Sequence, residues 1–323
     1  MPLYPEDLDR SISRGDATLL GVSWRELSGP LWRSPYRGVH VWSATAPDDP
    51  RQRALDAAAL LPDHGAVGGW AAAQLGGAVE LDGRGLTGTD SQPVMLCLPR
   101  DARIRRGPGA RPLRSVLGPE DVTAVAGIQV TRPLRTAFDI ARTSPLDAAM
   151  VAIDYLARGR PEFLAELHEY VKAHTHLRGG RLVGAALRRA SCRSRSAGET
   201  RLRLFWTCDV GLAEPLVNPW LQDDDGFGLG MPDLLDLEAG LAAEYDGAGH
   251  RDPLVHANDN AREESLEDSG LVVVRFTSQD LGPGRRRAKA RLLAGRERGR
   301  AVRTRPRRWS AVEGPLPEPT PHW

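Results

Sequence analysis

Lysine is nearly absent from this chain. Only Lys172 and Lys289 occur among its 323 residues, and every other basic side chain is arginine. GC-rich coding produces such a bias, so arginine abundance alone is no sign of phosphate binding. Cysteine is scarce too: Cys97, Cys192 and Cys208 lie far apart, form no C-x-x-C pair and are odd in number. This spacing argues against a zinc site and a disulfide framework, and it fits reduced thiols. No apolar run approaches the roughly 18 residues that a membrane-spanning helix needs. The opening "MPLYPEDLDR" has no basic stretch followed by an apolar one, so no export signal is read there. From these absences we expect a soluble, cytoplasmic protein with no membrane partner.

What is present is length and charge asymmetry. A chain of 323 residues exceeds one ordinary domain, so two or three units are expected, each with its own core. The formal net charge of +1 conceals two blocks of opposite sign. Residues 204–270 hold sixteen Asp and Glu against two basic residues, Arg251 and Arg262. Residues 284–309 hold twelve Arg and Lys against Glu297 alone. Such a pair of blocks suits an anionic partner held beside a site that needs carboxylates, or simply two solvated faces of opposite sign.

The pattern along the chain predicts an α/β (α+β) multidomain protein. Residues 1–50 read as helix, helix, strand, compatible with a small winged-helix unit. Residues 51–190 read as a mainly helical middle region. It includes "QPVMLCLPR" as a buried strand and "VAGIQVTRPLRTAFDIARTS" as a strand running into a helix that begins at Pro133. Arg135 and Asp139, four apart, are expected to pair on the surface of that helix. His174 and His176 suit a helix C-terminus better than a metal, since no carboxylate or Cys lies nearby in sequence. Residues 191–298 read α-β-β-β-α-β-α, starting with a helix that Ser196 caps and Glu199 completes as a capping box. Residues 299–323, rich in Pro and Arg, are expected to be disordered.

The chemistry concentrates in "GMPDLLDLEAGLAAEYDGAGH", residues 230–250. Glu244 and Asp246 are two apart on a strand and project from one face, while Asp233 lies across a tight turn within cross-strand reach. Converging carboxylates repel one another unless something neutralises them. Mg²⁺ (or Mn²⁺), held by one or two carboxylates plus waters and a substrate phosphate, removes that cost and makes phosphodiester hydrolysis the natural reaction. Gly247 and Gly249 would let a phosphate backbone approach.

Together "GMPDLL", "AAEYDGAGH" and "NDNAREESLEDSGLVVVRFTSQDL" resemble the PD-(D/E)XK nuclease superfamily, in the branch similar to very-short-patch-repair (Vsr) endonucleases. The resemblance implies a restriction-endonuclease-like core with a mixed sheet, a DNA partner and a divalent metal. It implies Asp233, Glu244 and Asp246 as metal-site acids, with Glu199 as a further helical ligand. His250 is implied as a proton-transfer or phosphate-contacting group, and Arg262 as a stabiliser of developing charge. The superfamily's second motif usually ends in Lys, whereas Asp246 stands there in this chain, so Arg262 or His250 would have to supply the positive group. "YRGVHV", "VTRPLRTAFDIAR" and "GETRLRL" with "GLAEPLVNP" resemble, more loosely, type IV abortive-infection antitoxins joined to such nucleases in actinobacterial proteins. The alternatives are a non-catalytic DNA-binding regulator and an antitoxin-like protein with a protein partner, for which the chain offers no signature.

Overall fold

The structure, a computed structural model, describes residues 10–84, 91–104, 107–247, 266–302 and 307–323. The chain divides into two units, one of Met1–Ala152, Glu166–Gly184 and Thr320–Trp323, the other of Ile153–Ala165 and Ala185–Pro319. Among the described residues no helix is long and apolar enough to cross a membrane.

In the first unit, helices α1 (Arg14–Leu19) and α2 (Trp24–Leu27) start at Ser13 and Ser23. Each serine hydroxyl accepts an N3 backbone N–H, and the N3 acid (Asp16, Glu26) bonds back to the cap, which satisfies two otherwise orphaned donors per helix. Strands β1 (Ile12–Ser13), β2 (Trp32–Tyr36) and β3 (Val39–Trp42) form a sheet in the order β1-β3-β2. The β2 strand is not legible in the sequence, where Pro35 and the polar Arg33 and Ser34 interrupt the alternation.

The middle region departs from the mainly helical expectation. Strands β4 (Ala66–Gly68), β5 (Val94–Leu98), β6 (Ala110–Arg114), β7 (Val122–Val125) and β8 (Ile128–Thr131) build a mixed sheet, ordered β6-β5-β4-β8-β7. Helices α3 (Pro50–Ala58), α4 (Gly69–Leu75) and α5 (Pro133–Thr143) accompany it. In the "GAVGGW" stretch, Ala66–Gly68 is a strand that turns into α4 at Gly69, whose φ of +63° favours glycine. Its core includes Leu55, Val67, Leu75, Val94, Leu96, Leu98 and Val130. Helices α6 (Leu146–Ala157), α7 (Pro161–Ala173) and α8 (Gly180–Leu187) follow as the periodicity predicts. His174 sits just past the end of α7, its ring stacked on Tyr170 with centroids 3.9 Å apart.

Arg135 and Asp139 do pair, but in the interior rather than on the surface. Their side chains are 1% and 0% exposed. Arg135 Nε donates to Asp139 Oδ2 at 2.8 Å, Nη1 donates to Asp121 Oδ2 at 2.8 Å, and Nη2 donates to the Ser115 hydroxyl. Arg142 Nε donates to the other Asp139 oxygen at 2.7 Å, and the Tyr170 hydroxyl donates to Asp121. Two guanidinium groups thus face two carboxylates, as burial of charge requires. Spacing predicts the i,i+4 pair, yet nothing in the spacing shows that Asp121, fourteen residues earlier, closes the network from the far side.

Burial pushes the Tyr170 hydroxyl well above its ordinary range, and its bond to Asp121 adds to the effect. The same burial, with Asp139 beside it, pushes the Cys97 thiol up. Its Sγ lies 3.6 Å from Asp139 Oδ2. Since the thiolate is the reactive form, the exposed Cys208 is expected to react first with a disulfide reagent in the native protein. Cys97 is expected to react only on unfolding. Counting released thiolate before and after adding guanidinium checks this order.

Thr320–Trp323 joins the first unit through Trp323, whose indole N–H donates to the Thr131 carbonyl at 2.8 Å and whose ring packs on the sheet core. A methyl group on Gly76 would overlap that ring. Gly76→Ala is therefore expected to cost about 1–3 kcal/mol, as overpacking does, read by chemical denaturation. A neutral result would show the indole free to leave its seat. This segment and Trp309–Val312 overturn the expected disordered tail: apolar Trp309, Val312 and Trp323 fold back onto earlier strands, which compositional reasoning on Pro and Arg does not anticipate.

The second unit starts with a clamp. Asp154 Oδ1 accepts the Ser191 backbone N–H at 2.8 Å. Its Oδ2 accepts from the Ser194 hydroxyl at 3.0 Å, the Thr200 hydroxyl at 2.8 Å and Arg203. These bonds fix the entry and one face of α9 (Ala197–Leu204), which passes into a π-helical turn at Phe205–Val210. Strands β9 (Leu216–Val217), β12 (Leu234–Asp236), β13 (Leu241–Tyr245) and β14 (Val272–Phe276) form a sheet in the order β14-β13-β12-β9. Its β12–β13 and β12–β9 pairs are antiparallel and its β13–β14 pair is parallel. A second sheet, β11-β10-β15, joins β10 (Trp220–Asp223), β11 (Gly228–Gly230) and β15 (Trp309–Val312). In the turn between β10 and β11, Asp223 Oδ1 accepts the Asp225 and Phe227 N–H groups, as the "DDDG" run predicts. The helix expected before Gly270 is described at its end. There Leu271 N–H reaches the Leu266 carbonyl, Gly270 N–H reaches that of Glu267, and φ of Gly270 is +91°. Helices α10 (Ser278–Leu281) and α11 (Arg285–Val302) complete the unit.

Candidate acidic site

The β12–β13 register pairs Leu234 with Ala243 and Leu235 with Ala242. Continued by one residue, it sets Asp233 opposite Glu244, so both project from the same face of the sheet. The tight turn that aligns them runs through Gly240 at φ +66°. Asp233 is partly buried, and its Oδ2 accepts the Tyr245 backbone N–H at 2.7 Å. Glu244 is 7% exposed. In the parallel register it stands beside Arg275 of β14, whose Nε lies 3.6 Å from its Oε2. Asp246 is exposed just past β13, where its backbone N–H extends the ladder to the Phe276 carbonyl at 2.7 Å.

Glu199 reaches the same region from α9. It is 6% exposed, and the Ser196 hydroxyl accepts its N–H at 3.1 Å, as the capping motif predicts. The reciprocal half of the box is absent. The Glu199 carboxylate instead accepts the Arg195 N–H at 2.8 Å and the Asn218 side-chain amide at 2.7 Å, both through Oε2. A side chain at Gly198 would overlap the Tyr245 ring, so the first turn of α9 lies directly on β13.

The structure thus ties Glu199 to the Asp233 backbone through Asn218, while the first turn of α9 packs on the Tyr245 face of the sheet, opposite the face from which Glu244 projects. Among the described residues no group of three or more His, Cys, Asp and Glu side chains converges as a cation cage. The expected trio of Asp233, Glu244 and Asp246 is therefore an opposed pair with an exposed third acid. His250 and Arg262 lie outside the described residues.

Two residues of the site carry no role in the sequence reading. Asn218 precedes Pro219, and the only hint is a small polar residue between two prolines. Arg275 interrupts the apolar "VVVRF" run, which is the signal that marks it. The opposite charge blocks also meet inside this unit. Arg285 pairs with Asp209 at 3.0 Å and Arg296 with Asp236 at 2.7 Å, and Arg300 reaches Glu238 at 3.9 Å. Part of the basic helix α11 therefore neutralises the acidic block.

Family models, curated proteins and solved structures were all compared with the chain, and none matches.

Proposed function

We propose that the second unit is a metal-dependent DNA endonuclease that hydrolyses phosphodiester bonds, with its centre at Asp233 and Glu244. The observation that carries this reading is the register that opposes these two acids beside Arg275. The donor set suits Mg²⁺ or Mn²⁺: hard carboxylate oxygens on β13 and just before β12, one largely buried. When bound, such a cation polarises a phosphoryl oxygen and acidifies a water. The protein's own residues hold the acids in register and set the Arg275 guanidinium where phosphate charge develops. Arg275 thereby takes the part of the lysine that the motif lacks at Asp246. Asp246 would position water from the exposed rim, and His250 and Arg262 keep the roles that the resemblance implies.

The order α9, then antiparallel β9, β12 and β13 and a parallel β14, with β10 and β11 inserted after β9, supports a restriction-endonuclease-like core. In the first unit, the β1-α1-α2-β2-β3 arrangement with exposed Arg37 in the hairpin turn supports a winged-helix element that contacts DNA. Plasmid DNA is expected to be nicked or cut with Mg²⁺ or Mn²⁺ and left intact with EDTA. Cutting that persists in both Asp233→Ala and Glu244→Ala would reject the site. Metal-independent DNA binding without cutting would favour a non-catalytic regulator or antitoxin-like role, and its steep salt dependence would mark phosphate contacts.

A further inference from the structure

We propose that Asn218 is the positioning residue of the acidic site, joining the acid on α9 to the acid before β12; this rests on the endonuclease reading above. Asn218 is 3% exposed and adopts a left-handed φ of +48° immediately before Pro219. That conformation is uncommon for any residue but glycine, although asparagine is enriched in it, and the chain keeps it where surrounding bonds over-determine it. Three bonds do so. The Asn218 N–H donates to the Asp233 carbonyl at 3.0 Å, while Nδ2 donates to Glu199 Oε2 at 2.7 Å and to the Arg193 carbonyl at 2.9 Å.

The amide orientation follows from its neighbours. Both groups that face Nδ2 are acceptors, so the reversed amide would set oxygen against oxygen twice. One residue therefore holds the Glu199 carboxylate with its side chain and the Asp233 main chain with its backbone. Asp233 in turn spends one carboxylate oxygen on Tyr245 N–H. The two acids cannot drift apart without breaking a bond to Asn218. This is the arrangement in which an outer residue governs how well its neighbours hold a cation, an effect typically worth roughly 10–100-fold in metal affinity or activity.

Asn218→Gly separates the two roles. Glycine accepts the left-handed backbone and keeps the N–H bond to Asp233, but removes the amide from Glu199. The test measures Mn²⁺ affinity of the full chain by water-proton relaxation and cleavage of plasmid DNA across Mg²⁺ concentrations, both at a temperature where circular dichroism shows wild type and variant folded. The expected result is Mn²⁺ affinity weakened about tenfold or more, with cleavage displaced to higher Mg²⁺. Gly76→Ala, which lowers stability in the first unit, serves as the control and is expected to keep wild-type Mn²⁺ affinity at a temperature where it is folded. Weakened Mn²⁺ affinity in Asn218→Gly but not in Gly76→Ala is a result that a general loss of stability would not produce. Asn218→Gly with wild-type Mn²⁺ affinity and wild-type Mg²⁺ dependence overturns the proposal. A wild type that binds Mn²⁺ without cutting DNA overturns the endonuclease reading instead, and the affinity of the Gly variant then still decides the role of Asn218. A wild type that neither binds Mn²⁺ nor cuts overturns both.

Discussion

Arg135→Leu is expected to destabilise the protein by about 3–5 kcal/mol, the range seen when one partner of a buried ion pair is removed. The reason lies in what stays behind. Asp121 and Asp139, 3% and 0% exposed, would keep their charges without the guanidinium that bonds both. Arg142 still reaches Asp139 and the Tyr170 hydroxyl still reaches Asp121, yet each replaces only part of what is lost. Set against a usual total of about 5–15 kcal/mol, such a loss is a large fraction of the stability. Arg135→Lys should fall between wild type and Leu, because one ammonium cannot span acceptors on three separate segments as the planar fork does. Urea denaturation of the three proteins measures the series. A Leu variant within 1 kcal/mol of wild type would mean that the interior pair is neutralised by other means.

The second large effect concerns activity and leaves folding nearly untouched. Glu244→Gln and Asp233→Asn are each expected to lower DNA cleavage more than about 100-fold, since even outer-shell changes around a metal cost roughly 10–100-fold. Stability should change little. The Arg275 side chain, 36% exposed, remains solvated when Glu244 loses its charge, and half-exposed ion pairs contribute about 0–1 kcal/mol. An asparagine at 233 can still accept the Tyr245 N–H through its amide oxygen. Loss of cleavage with unchanged melting points to charge at the site; parallel loss of both would point to the fold. Steady-state cleavage rates and thermal melts of the same preparations separate the two.

Much of this architecture is legible in the sequence where a local rule governs it. The α5 start at Pro133, the serine cap of α9, the β12–β13 turn and the apolar β5 and β14 all follow from periodicity, capping and turn chemistry. What escapes is set by partners distant in sequence. Strand β4 is too short and glycine-rich to show alternation, and β6 carries Pro112 between Arg111 and Leu113, so each forms only because neighbouring strands pair with it. The burial of Arg135 depends on Asp121 and Tyr170, and the seat of Trp323 depends on Gly76 and Thr131. Within the site, the spacing of Glu244 and Asp246 suggests two acids on one strand face. It gives no indication that the strand ends between them, which leaves Glu244 buried against Arg275 and Asp246 in solvent.

The most direct measurement is an anomalous difference map from crystals of the protein grown with Mn²⁺. The expected result is a peak about 2.1 Å from carboxylate oxygens of both Asp233 and Glu244, at the distance a small hard cation demands. Mn²⁺ bound elsewhere, or no peak at this pair at saturating metal, would contradict a divalent-cation site at these two acids.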